Sequence, residues 1–346
     1  RAGTLGGGIF VNSNGTTLTN VIADNNTAQR GGAAFINGTD ITVTGGELNN
    51  NKAIYNGSEN TGLGGAFDIV GDHILVDGTH SNNNTARLGG STFIRGNNVT
   101  VQNCNLDNNS ADLRGGGINI AGDGCTVENV SVSDNRAGTL GGGIFVNSNG
   151  TTFTNITADN NTAQRGGAAF INGTNITVRG GELNNNRAIY NGTNNTGLGG
   201  AFDIVGDDIL VDGIKSNNNT ARLGGSTFIR GSDVTVQNCN LDNNNATKRG
   251  GALDIGGGEG CQIINVSASN NVAGEDGGAI YVVGDKALFD NVTSIHNTAQ
   301  NGGSSYIAGN YTVVRNCNLD NNSADLRGGG LYVSGNNCTF ESVALS

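Results

Sequence analysis

Residues 25–53 read NNTAQRGGAAFINGTDITVTGGELNNNKA, and stretches of this form recur from one end of the chain to the other. A Gly-Gly pair begins at residues 6, 31, 64, 89, 115, 141, 166, 199, 224, 250, 277, 302 and 328, at intervals of 25–27 residues with two of 33. A fixed period of this length marks a repeat architecture. Three and five residues past each first Gly the chain is mostly apolar, as at Ile9 and Val11, Phe67 and Ile69, Ile118 and Ile120, and Leu331 and Val333. Alternation of this kind is a strand with one buried face. A second apolar column follows twelve positions after the Gly (Val43, Val76, Val101, Phe153, Val211), and a third five positions later (Leu48, Leu106, Val132, Leu241). Each coil is therefore expected to hold three short strands.

Between the second and third strands stands Asn or Gly, as at Asn20, Gly45, Gly78, Asn103 and Asn129. Both tolerate a left-handed backbone, so the column predicts a turn. After the third strand comes Asn-Asn or a near variant and then an Ala, at 28, 53, 86, 111 and onward. The Ala column predicts a tight corner, with stacked Asn amides bonding to the coils above and below.

A 25-residue repeat is too short for a βαβ unit of roughly 30 residues, and no helical apolar period is present. One coil buries roughly six apolar side chains at about 1.5–3 kcal/mol each. Ordering its residues costs on the order of 1.5 kcal/mol apiece, so a coil folds only when stacked. The expected fold is all-β: a single-stranded right-handed parallel β-helix, or β-solenoid, of thirteen coils, continuous over residues 1–346. At about 4.8 Å per coil it would be a rod about 60 Å long. RAGTLGGGIFVNSNGTT begins at Arg1 and again at Arg136, so residues 1–135 and 136–270 form a duplication, with an abbreviated third copy at 271–346.

Among 346 residues there are 60 Gly and no Pro, Met or Trp, unlike an ordinary globular domain. The net charge of -11 argues against nucleic acid or anionic membrane as partners. No apolar run approaches the roughly 18 residues of a membrane span, and no leader pattern opens the chain. Both ends fall in mid-pattern, so the native polypeptide is expected to continue beyond them.

The run Asn-Asn-Thr-Ala, two residues, then Gly-Gly-Ala at 25–33 and 160–168 resembles the GGA[ILV] and FxxN repeats of the chlamydial polymorphic outer-membrane proteins. It is also similar to the Asn-rich repeats of adhesin-like proteins in methanogenic archaea. GGAI occurs literally at 277–280, while the Phe of FxxN is replaced by Leu48, Leu106, Ala23 or Ser81. The resemblance covers the whole chain and implies a right-handed β-helix displayed at a microbial surface for adhesion or envelope architecture.

The six cysteines recur as Cys104 with Cys125, Cys239 with Cys261, and Cys317 with Cys338. Their pairing suggests inter-coil disulfides in an oxidising compartment. The alternative is Cys as a small buried hydrophobe, the five-position lag being long for a bridge. Neither CxxC spacing nor nearby His points to a metal.

Four residues past the Gly-Gly, opposite the buried column, stand Phe10, Phe35, Phe93, Phe145, Phe170, Phe228, Tyr281, Tyr306 and Tyr332, with Asp68, Asn119, Asp203 and Asp254 filling the other coils. An outward aromatic ladder of this length would be an interaction surface, or would simply stabilise the sheet. The two long coils carry the loops IYNGSENTGL (54–63) and IYNGTNNTGL (189–198), which offer Tyr55 and Tyr190 as binding residues. Sequons at Asn56, Asn191 and Asn194 in these loops are candidate glycan acceptors. The Thr columns, such as Thr17, Thr42 and Thr100, have mixed companions and read as ordinary strand composition rather than an ice-binding lattice.

Parallel β-helices also carry polysaccharide lyases and hydrolases, so the residues must decide. Glycoside hydrolysis needs two flanking carboxylates, and lyases of this fold need clustered acids for calcium plus a base. The nearest acidic group is Asp68, Asp72 and Asp77, repeated as Asp203, Asp207, Asp208 and Asp212, and a solvated edge is the better account of it. His73 and His80 become Asp208 and Lys215 in the second copy. No catalytic residue and no cofactor is assigned. The expectation is a non-enzymatic extracellular or cell-surface structural or adhesive protein. Its partners would be glycans or proteins of a host or neighbouring cell, or copies of itself in a filament or sheath.

Overall fold

The computed structural model describes residues Arg1 to Ser346 and contains strands but no helix. The chain is a parallel β-solenoid that divides into two compact units, Arg1–Gly173 and Thr174–Ser346. Seven of the strands that follow a Gly-Gly pair lie in the first unit and six in the second.

One coil illustrates the rest. Ala34–Asn37 forms the first face, Ile41–Thr44 the second, Glu47–Asn49 the third and Lys52–Ala53 a short fourth. Within each unit the faces stack parallel, the first three in register, as Ile36 on Ile69 and Val43 on Val76, while the short fourth face shifts register at places such as Ala86/Leu88. The three apolar columns are the core: Ile36, Ile69, Val43, Val101 and Leu48 are all buried.

Left-handed corners separate the faces where the Asn and Gly columns predict them. Asn20, Asn103 and Asn129 have φ of 51°, 54° and 51°, and Gly45 and Gly78 take 63° and 67°. A second set follows the third face, where the first Asn of each pair turns (Asn50, φ 56°; Asn108, φ 53°) and the second points inward. These inward amides form the expected ladder. In the first unit Asn26, Asn51, Asn84, Asn109, Asn135 and Asn161 follow one another, each backbone N–H donating to the next side-chain oxygen at 2.8–3.0 Å. In the second unit Asn186, Asn219, Asn244, Asn271, Asn297 and Asn322 repeat it at 2.7–3.0 Å.

The Ala column departs from expectation. Ala28, Ala53 and Ala111 are not corners but members of a fourth set of strands two to five residues long, with the methyl turned into the core. The corner itself is the Gly-Gly pair that follows. Its first Gly is left-handed (Gly115, φ 63°), and a Cβ on the second would meet the next coil's carbonyl oxygen, 2.0 Å away at Gly116.

Candidate functional site

The Gly-Gly corner creates the one surface where charge and aromatic residues gather. The residue before each pair is Leu or Arg through most of the chain (Arg30, Leu63, Leu88, Arg114, Leu140, then Leu198, Leu223, Arg249). These residues bridge to their counterparts in the next coil, as Leu63 to Leu88 and Arg114 to Leu140. The turn folds this column back over the residue four past the pair, producing small clusters outside the main core: Leu63, Leu88 and Phe93 in one unit, and Leu198, Leu223 and Phe228 in the other.

This overturns the expected exposed ladder. Phe35, Phe93, Phe145, Phe170, Phe228 and Tyr281 are only 2–7% exposed, and Tyr306 and Tyr332 are half-buried. Only Phe10, in the first coil, is open at 57%. The first-face strands are thus covered on both sides, and the cover is largely guanidinium. Arg30 lies 4.6 Å over Phe35, Arg95 5.4 Å over Phe93, Arg114 4.8 Å over Phe145 and Arg165 4.8 Å over Phe170. Arg230 and Arg249 cover Phe228 and Tyr281 at 5.5 and 4.4 Å. Ring stacking continues between coils where aromatics are consecutive, as Phe145 on Phe170 at 5.6 Å and Tyr306 on Tyr332 at 4.7 Å.

Where the column holds an acid, the acid is buried with the arginines. Asp68 accepts from Arg30 Nε at 2.6 Å, and burial nevertheless pushes its carboxyl up to about 6. Asp254 accepts no hydrogen bond, lies 3.4 Å from Arg249 Nε, and is pushed by burial up to about 7. Asp68, Asp72 and Asp77 do not converge: Asp72 is at an exposed corner bonded to Asn97, and Asp77 ends a second-face strand and accepts from Asn103.

The long loops border this surface. Tyr55 and Tyr190 are about half exposed, with Arg87 and Arg222 stacked 4.7 and 4.8 Å over their rings. Asn56, Asn191 and Asn194 are exposed. Asn56 Oδ1 closes its loop by accepting from Ser58 N–H and Thr61 Oγ1 at 3.0 and 2.8 Å. Asn191 does the same with Thr193 and Thr196.

All six cysteines are free thiols, so the expected disulfides are corrected. Register explains why. Thr100 stacks on Thr126, which sets Cys125 beside Val99 at the start of a second-face strand, while Cys104 follows the corner at that strand's far end. The lag is a four-residue strand plus a corner, or about 10 Å or more, against the ~7 Å a bridge allows. Cys239 with Cys261 and Cys317 with Cys338 repeat the arrangement. Cys104 and Val130, one coil apart, each follow a left-handed Asn, so Cys here is a small core residue. Burial pushes the Cys125 and Cys261 thiols up to about 12.

Sequence reasoning singled out the aromatic column but missed the arginines over it. The signal was present in the Leu/Arg column before each Gly-Gly.

No protein-family model matches the chain, and no curated protein matches it.

Proposed function

We propose that this protein is a non-enzymatic structural or adhesive element of the cell surface or extracellular space, a rigid scaffold that carries a binding face. What supports the reading is repetition: one coil geometry, with the same left-handed corners and the same buried amide ladder, recurs throughout each unit. Repeats stacked in this way extend a chain in one dimension and display equivalent surfaces at regular intervals.

A self-assembling subunit of a filament or sheath is the second reading, because stacked coils of one geometry offer strand edges that template contacts between copies. Negative-stain electron microscopy over a concentration series separates the two. Discrete particles of constant length support the spacer, filaments growing with concentration support the subunit, and irregular globular particles contradict both.

A further inference from the structure

The duplication supplies an internal comparison. In the first unit Arg87, Arg95 and Arg114 line one groove of about 300 Å³. Each is seated on a ring, Tyr55, Phe93 or Phe145. Stacking occupies the flat face of a guanidinium and leaves its N–H edge available for a planar anion. Arg114 is half-buried and carries no ion pair; burial, then the neighbouring Arg87, holds its pKa down. On the groove lining lies Asn119, 2% exposed, whose Nδ2 is buried without an acceptor.

The second unit holds the same three cations 135 residues on, Arg222, Arg230 and Arg249. There Asp254 takes the place of Asn119; burial raises its pKa, Arg249 Nε lies 3.4 Å from the carboxylate, and Arg249, Arg230 and Arg222 act to lower the pKa. The second set of arginines therefore has a carboxylate at this position where the first has an amide, while Glu59 lines the first groove and the buried Asp68 acts on Arg95. A buried amide donor left unpaired, as at Asn119, is costly, and a matching ligand removes that cost.

We propose that the first groove binds a carboxylate-bearing sugar, the ligand's carboxylate lying among Arg87, Arg95 and Arg114 at the position that Asp254 fills beside Arg249 in the second unit. The rest of the lining favours a sugar over an acidic peptide. Glu59, Asn60 and Asn147 present hydrogen-bonding groups suited to hydroxyls, while the rings lie beneath guanidiniums and leave no apolar slot. Arg87 is held at the rim by Nη1 donating to the Glu59 carbonyl oxygen at 3.3 Å.

The inference rests on the adhesive reading, and its test is separate. Calorimetric titration of the full chain at pH 8 with galacturonate oligomers of defined length should show one site per chain. Methyl esterification of the oligomer, Arg114→Gln or Asn119→Asp should each weaken binding at least tenfold, and Asp254→Asn should add a second site. Circular dichroism melting confirms that each variant is folded. No binding by the wild type, unchanged binding by Asn119→Asp, no added site in Asp254→Asn, or equal binding of poly-L-glutamate overturns the proposal. Binding accompanied by shortening of the oligomer, read by mass spectrometry, would support the site and overturn the non-enzymatic reading instead.

Discussion

Asp254 shows how a single buried carboxyl couples this fold to pH. Its pKa is raised from 3.8 to about 7, so folding favours the protonated form. The stability it contributes is fully present below the unfolded value and is lost as pH rises through about 7. Asp254→Asn removes the ionisable group and keeps the shape. The variant should match the wild type near pH 3.5 and be more stable at pH 8 by on the order of a few kcal/mol, measured by thermal melting across that range. A wild type as stable as the variant at pH 8 would contradict this. Asn109 works in the opposite sense, because its amide is fully used. It accepts from Asn84 N and Nδ2 at 2.9 and 3.0 Å and donates to Ser81 O and Asn135 Oδ1 at 3.0 and 3.2 Å. Asn109→Ala strands several buried groups and should cost about 3 kcal/mol or more in chemical denaturation. Asn26→Ala, at the partly open end of the ladder, should cost about 1 kcal/mol.

At the scale of the strand and corner, the sequence is legible wherever one residue type answers to one local demand. Asn and Gly mark left-handed corners because few other residues occupy that region cheaply. The Asn of the ladder repeats because each amide needs an identical neighbour above and below. What was not legible depends on how corners bring separate columns together. The strand Thr92–Arg95 alternates as if Phe93 faced water, yet Phe93 is buried because the Gly-Gly turn returns Leu88 and Leu63 over it. The Ala column reads as a corner because small residues fit corners, but small residues also fit strands packed close to the core. Of the two readings of the cysteines, the small core residue is the one the register supports: a recurring spacing suggests contact, while register sets the two thiols at opposite ends of one face. Accordingly, Cys125 and Cys261 should resist alkylation in the folded chain and react after denaturation, and the melting temperature should be the same with and without reductant. Cys125→Val should change stability by less than about 1.5 kcal/mol. A fall in melting temperature on reduction would restore the disulfide account.

For the whole molecule, the two units repeat one device with one telling difference. Both place three arginines beside the Gly-Gly strands in a chain whose net charge is -11, but at the equivalent position the second has Asp254 and the first Asn119. The alteration fits a chain in which one copy is closed structure and the other an open groove, displayed on a repetitive support. The most direct test of the surface role is antibody labelling of the source cells, intact and permeabilised, with antibody raised against this chain. Gold label along the exterior of intact cells is the expected result. Label that appears only after permeabilisation would contradict it.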